Sequence, residues 1–132
     1  MMREYMMIFI GGGLGATLRY FSSRCLFISK FAQHHAWLPI MLINVLGSFL
    51  IGVLYVVLVK HFAVSVYWRG LLMVGLLGGF TTFSSFSLDT LLTIENGHFI
   101  GAIFNIIFSV GGSICLCALG IILTKQVLNL IG

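Results

Sequence analysis

Acidic residues are almost missing from this chain. Glu4, Asp89 and Glu95 are the only three in 132 residues, and none lies between the first two. Charged residues of both signs make up 8%, and hydrophobic ones 60%, at a mean hydropathy of +1.15. A soluble domain carries about a quarter charged residues, so that class is excluded. A proton or cation relay in a membrane usually places Asp or Glu at mid-span, and only Asp89, near a helix end, could serve. The seven basic residues give a net charge of +4 but are scattered, which argues against a nucleic-acid face. Cysteine is scarce too: Cys25, Cys115 and Cys117 form no even framework, and the last two sit in an apolar stretch as small packing residues. Nothing pairs Ser, His and acid at a useful spacing. His34, His35, His61 and His98 fall in or near predicted loops, so an enzyme is not expected.

What remains is membrane-length apolar sequence. Charge-free stretches run over Tyr5–Leu18, Phe31–Val59, Gly70–Leu88 and Asn96–Thr124. About 20 residues cross a bilayer core, so the last three qualify, and the first does if Arg19 sits at its end and snorkels. A signal peptide is the competing reading of the N-terminus, but no small-x-small cleavage site follows, and a retained helix is preferred. The expectation is an all-α membrane protein forming a single domain over residues 1–132. Its four helices span about Tyr5–Tyr20, Pro39–Val59, Trp68–Leu91 with a break, and Phe99–Leu123. Pro39, the one proline, suits a helix start. Trp37, Tyr67 and Trp68 flank spans where amphipathic rings favour the interface. With four spans, Arg3, Lys60, Arg69 and Lys125 share one side and Arg19, Arg24 and Lys30 the other. So even a division sets no orientation, and leaves room for insertion both ways and pairing as an antiparallel dimer.

Three features stand out within the spans. Gly11-Gly12-Gly13-Leu14-Gly15-Ala16 formally matches a dinucleotide-binding glycine pattern, but no acidic residue follows at the needed distance. Close approach of two helices is the better reading. Asn44, Gly47, Ser48 and Gly52 share one face of the second helix, and Asn105, Ser109 and Ser113 one face of the fourth. The third is the run Gly78-Gly79-Phe80-Thr81-Thr82-Phe83-Ser84-Ser85-Phe86. Paired glycines followed by four hydroxyls make a poor helix interior. In hydrocarbon such a segment survives only where protein or a watery pathway surrounds it, as at the ion sites of broken transporter helices. Each asparagine alone reads as an interhelical hydrogen bond; two polar stripes beside a broken helix read better as a lined pathway. Hydroxyls and carboxamides donate to anions, and ring edges of Phe83 and Phe86, at i and i+3, carry positive quadrupole character. As an isolated pair those two rings read more simply as core or dimer packing.

These residues resemble the fluoride channels of the Fluc or CrcB family. The likeness rests on Gly11 through Tyr20, Asn44-Val45-Leu46-Gly47-Ser48-Phe49, the Gly78–Phe86 run, and Asn105, Ser109 and Ser113. It covers nearly the whole chain and implies a fluoride-specific channel exporting fluoride passively across the cytoplasmic (inner) cell membrane. It implies a dual-topology homodimer of inverted subunits with two antiparallel pores. By position, Phe83 and Phe86 would contact fluoride through their edges and Asn44 would donate amide hydrogens. Ser84, Ser85, Asn105, Ser109 and Ser113 would form a polar track. Backbone carbonyls of Gly78 and Thr81 from both subunits would hold a structural sodium ion. Arg19 would raise the anion concentration in a vestibule, or serve as a snorkelling anchor. One departure is Pro39-Ile40 where many relatives have Gly-Thr, which removes a hydroxyl. The alternatives are a small multidrug exporter, whose first-helix glutamate has no counterpart beyond the terminal Glu4, and a non-conducting partner subunit of a heterodimeric channel.

Overall fold

The computed structural model describes residues 1–28 and 34–131, so Lys30, counted above among the loop charges, lies outside the described residues. Among the described residues every regular element is helical. Helix α1 is Met2–Phe27, α2 is Leu38–His61, α3 covers residues 66–80, α4 is Phe83–Glu95 and α5 is Phe99–Ile131. Three helical runs are long and apolar enough to cross a membrane: Leu38–His61, Val66–Glu95 and Phe99–Ile131. The α3–α4 run has the lowest hydropathy of the three, 1.6 against 2.5 for each of the others. It contains the hydroxyl-rich break.

Two helix ends differ from the sequence expectation. Helix α1 continues past Tyr20 to Phe27, so Arg19 is an interior residue of the helix. Arg24 accounts for part of the extension, its guanidinium lying 5.9 Å from the Tyr20 ring centroid, while Ser23 Oγ donates to the Tyr20 carbonyl at 2.8 Å. Helix α5 likewise runs to Ile131, beyond Lys125. Pro39 lies in the first turn of α2, where its missing N–H costs no hydrogen bond.

The helices pair as α1 along α3 and α2 along the second half of α5, with α4 against the first half of α5. Among the described residues few apolar side chains are buried: Ile43, Val56, Leu77, Phe86 and Ala102. Many large ones face outward, among them Phe9, Ile100 and Ile107. A chain whose outer surface is apolar cannot rely on hydrophobic burial between helices, and close backbone packing takes its place. The glycines provide it. A methyl group on Gly11 would run into the Leu71 carbonyl, one on Gly15 into the Leu76 carbonyl, and one on Gly79 into the Gly12 carbonyl. The same contact joins α2 to α5, where Gly52 faces the Cys117 carbonyl and Gly120 the Phe49 carbonyl. Gly11 and Gly15 of the glycine-rich run are therefore a packing surface against α3, while Cβ positions at Gly12 and Gly13 face open space.

Candidate functional site

The break between α3 and α4 is two residues long. Thr81 (φ −83°, ψ 154°) and Thr82 (φ −154°, ψ 119°) are extended, and helical geometry resumes at Phe83. Thr81 closes α3 by donating both its N–H and its hydroxyl to the Leu77 carbonyl, each at 2.9 Å. Thr82 opens α4 as its cap, with Oγ1 accepting from the Ser85 N–H at 3.2 Å. A threonine in extended conformation before a new helix satisfies one of the N–H groups that a helix start leaves free. Ser84 Oγ and Ser85 Oγ also lie within 3.1 and 3.2 Å of Thr82 Oγ1, so the three hydroxyls form one knot at the cap.

Asn44 of α2 holds the break from outside. Its Oδ1 accepts from the Thr82 N–H at 2.7 Å and its Nδ2 donates to the Thr82 carbonyl at 3.0 Å. One carboxamide thus satisfies both backbone groups of an extended residue and keeps a second Nδ2 hydrogen for another acceptor. In an unbroken helix the Thr82 N–H would serve the Gly78 carbonyl, and the Ser85 N–H would serve the Thr81 carbonyl. Here both donors are turned elsewhere, the first to Asn44 and the second to the Thr82 side chain. Gly78 and Thr81 are the residues whose carbonyls the resemblance assigns to sodium. Carbonyl oxygens relieved of their helical donors suit a hard cation, so the residues present fit that ion.

Beside the break lies a cleft of about 470 Å³. Asn44 and Ser48 line it from α2, and Gly78, Thr81, Thr82, Phe83 and Phe86 from the two sides of the break. Ser109, Val110, Ser113 and Ile114 of α5 complete the wall. The wide π-type turns of Ile107–Gly112 contain Ser109 and end just before Ser113. Such turns shift the register of a helix and often accompany functional sites. Ser113 Oγ is buried and has no hydrogen-bond partner among the described residues.

The two phenylalanine rings sit 5.1 Å apart, tilted by 53°. Phe86 is 7% exposed, whereas Phe83 is 74% exposed. One ring is therefore fixed by the chain's own packing, and the other projects from it.

Ser84, Ser85 and Asn105 do not line the cleft. The two serines belong to the cap, and Asn105, 1% exposed, lies behind the wall. Arg19 is half-buried on α1 and also stands apart from the cleft. Two residues take parts that the sequence reading did not give them. Thr82 is the cap and the partner of Asn44, a part signalled by a hydroxyl residue directly before a helix start. Thr90 is buried and hydrogen-bonded to Asn105. Its position, four residues after Phe86 and seven after Phe83, places it on their helix face.

Comparison with known proteins places the chain in a family. Residues 6–121 match the family described as CrcB-like protein, Camphor Resistance (CrcB). A protein of Coxiella burnetii (strain Dugway 5J108-111) named "Fluoride-specific ion channel FluC" is 37% identical over 124 residues, covering 92% of this chain and 97% of that protein. Proteins of the same name from Pseudoalteromonas translucida (40% over 120 residues, 91% and 98% covered) and Pyrococcus abyssi (37% over 125 residues, 95% and 98% covered) are similar as well.

Proposed function

The chain belongs to the CrcB-like family, and on that footing we propose that it is a fluoride-specific channel whose permeation path runs through the cleft beside the α3–α4 break. The observation that carries this reading is the convergence of Asn44, Phe83, Phe86, Ser109 and Ser113 on one cleft. These residues come from three separate helices, and Asn44, Phe83, Phe86 and Ser113 each have a proton or a positive ring edge to offer a small anion. Ser113 Oγ, buried without a partner, has a proton to give.

Fluoride enters at a vestibule and exchanges its water shell stepwise for hydroxyl, amide and ring-edge contacts. Phe83 and Phe86 present ring edges, the free Nδ2 hydrogen of Asn44 donates, and the serines continue the track. Ser84, Ser85 and Asn105 support this wall from the cap and from behind it. Arg19 raises the local anion concentration from α1. No single contact is strong, which permits release. Movement is passive, down the fluoride gradient, and no covalent chemistry is involved.

Four spans and an inverted pair of identical subunits complete the proposal, in the cytoplasmic membrane of the cell. Helix α1 is the remaining span, held by its glycines against α3. The exposed Phe83 ring supports a second copy, since in a pair it would meet the partner subunit. A structural sodium ion would be held by the carbonyls of Gly78 and Thr81 and would supply positive charge at the break. Fluoride efflux from liposomes containing the purified protein, followed with a fluoride electrode, tests the reading. Efflux well above that of empty vesicles is expected, and efflux equal to theirs overturns it.

A further inference from the structure

Behind the cleft wall runs a buried hydrogen-bond chain whose proton directions are all determined by one end. Thr90 Oγ1 lies 2.7 Å from the Phe86 carbonyl, which can only accept, so the one hydroxyl proton of Thr90 is spent there. Towards Asn105, 2.8 Å away, Thr90 can then only accept, so Asn105 presents its NH₂. The carboxamide oxygen of Asn105 therefore faces Ser109, and Ser109 Oγ, at 2.9 Å, must donate to it. Thr90, Asn105 and Ser109 are all buried, at 8%, 1% and 6% exposure, so water cannot readily substitute for any member. Ser113, one turn further along α5, belongs to no such chain.

We propose that Thr90 and Asn105 are positioning residues that hold the Ser109 proton away from the cleft, so that Ser109 presents only an acceptor edge and Ser113 is the hydroxyl donor of the α5 stripe. This rests on the anion-channel reading and deepens it. An anion meeting the lone pairs of Ser109 is repelled unless a water molecule stands between them, donating one hydrogen to Ser109 and the other to the anion. Fluoride thus passes Ser109 still carrying a water and exchanges it at Ser113. The two serines, alike in sequence, have opposite polarity.

The test uses the full-length protein in liposomes, with fluoride efflux measured as a function of fluoride concentration. Ser113→Ala is expected to lower flux more than tenfold, and Ser109→Ala two- to threefold. Thr90→Val removes the acceptor for Asn105, whose amide can then turn its NH₂ to Ser109 and release the serine proton into the cleft. The half-saturating fluoride concentration should fall threefold or more, a change lost in Thr90→Val/Ser109→Ala and reversed in Thr90→Ser. A merely structural defect would not tighten anion binding. Equal losses for the two serine variants, or a Thr90→Val effect indifferent to Ser109, overturn the proposal.

A second measurement needs no conduction. In ¹⁵N-labelled protein the Asn105 side-chain amide protons should exchange with solvent at least tenfold more slowly than those of exposed Asn129, and lose that protection in Thr90→Val. Exchange as fast as at Asn129 overturns the chain whatever the flux. Slow exchange in a protein that moves no fluoride keeps the chain and overturns the channel reading alone.

Discussion

Asn44 grips Thr82 by both its backbone N–H and its carbonyl, at 2.7 and 3.0 Å, and so fixes the point at which the Val66–Glu95 run is interrupted. A side chain from one helix thereby completes the backbone hydrogen bonding of another, which an interrupted helix at membrane depth requires.

Asn44→Asp should be more damaging than its small size suggests. A carboxylate still accepts from the Thr82 N–H but cannot donate to the Thr82 carbonyl, and two acceptors are forced together. Asn44→Ala loses both bonds and should cost about 1–3 kcal/mol of stability by the usual penalty for unpaired buried groups. Thermal unfolding in detergent and fluoride flux together check this, with more than a tenfold loss of flux expected for Asn44→Asp.

Thr82→Val keeps the shape of the cap residue and removes its oxygen. The loss should be about 1 kcal/mol, typical of an N-cap, with Thr82→Ser close to wild type. Chemical or thermal denaturation curves for the two variants give the comparison directly.

The phenylalanines should separate by experiment as they do by burial. Phe86→Ala leaves a cavity and should destabilise by about 3–5 kcal/mol. Phe83 is 74% exposed on the single chain, so Phe83→Ile should fold normally and lose at least tenfold in fluoride flux. Size-exclusion profiles and flux on the same preparations distinguish the two effects.

Glycine-to-alanine changes along α1 test the packing account. Alanine is the better helix former by roughly 1 kcal/mol, so Gly13→Ala, whose methyl group meets no other described helix within 4 Å, should not lower the yield of folded protein. Gly15→Ala drives a methyl group into the Leu76 carbonyl, where backbone cannot yield. Overpacking of this kind costs about 1–3 kcal/mol, which outweighs the propensity gain.

Much of this architecture is legible in the sequence. The break is visible because paired glycines and clustered hydroxyls cannot form a stable lipid-facing helix, and the helical class follows from apolar runs of bilayer length. The helix ends are less legible: Arg19 and Arg24 look like boundary charges, yet α1 continues through both, with Arg24 lying against the Tyr20 ring one turn earlier. The two asparagines show the real limit. Asn44 and Asn105 are both lone carboxamides in apolar helices, and their local patterns give the same expectation. Only tertiary distance makes one a clamp on the backbone of the break and the other a link in a buried chain. Likewise the spacing that sets Ser109 one turn after Asn105 does not tell which of the two donates; that depends on Thr90, which lies on a different helix.

The most direct measurement loads the same liposomes with both fluoride and chloride and follows each ion with its own electrode. On the proposed reading the liposomes should release fluoride and retain chloride. Chloride leaving as fast as fluoride, or neither ion leaving faster than from empty vesicles, would contradict the account.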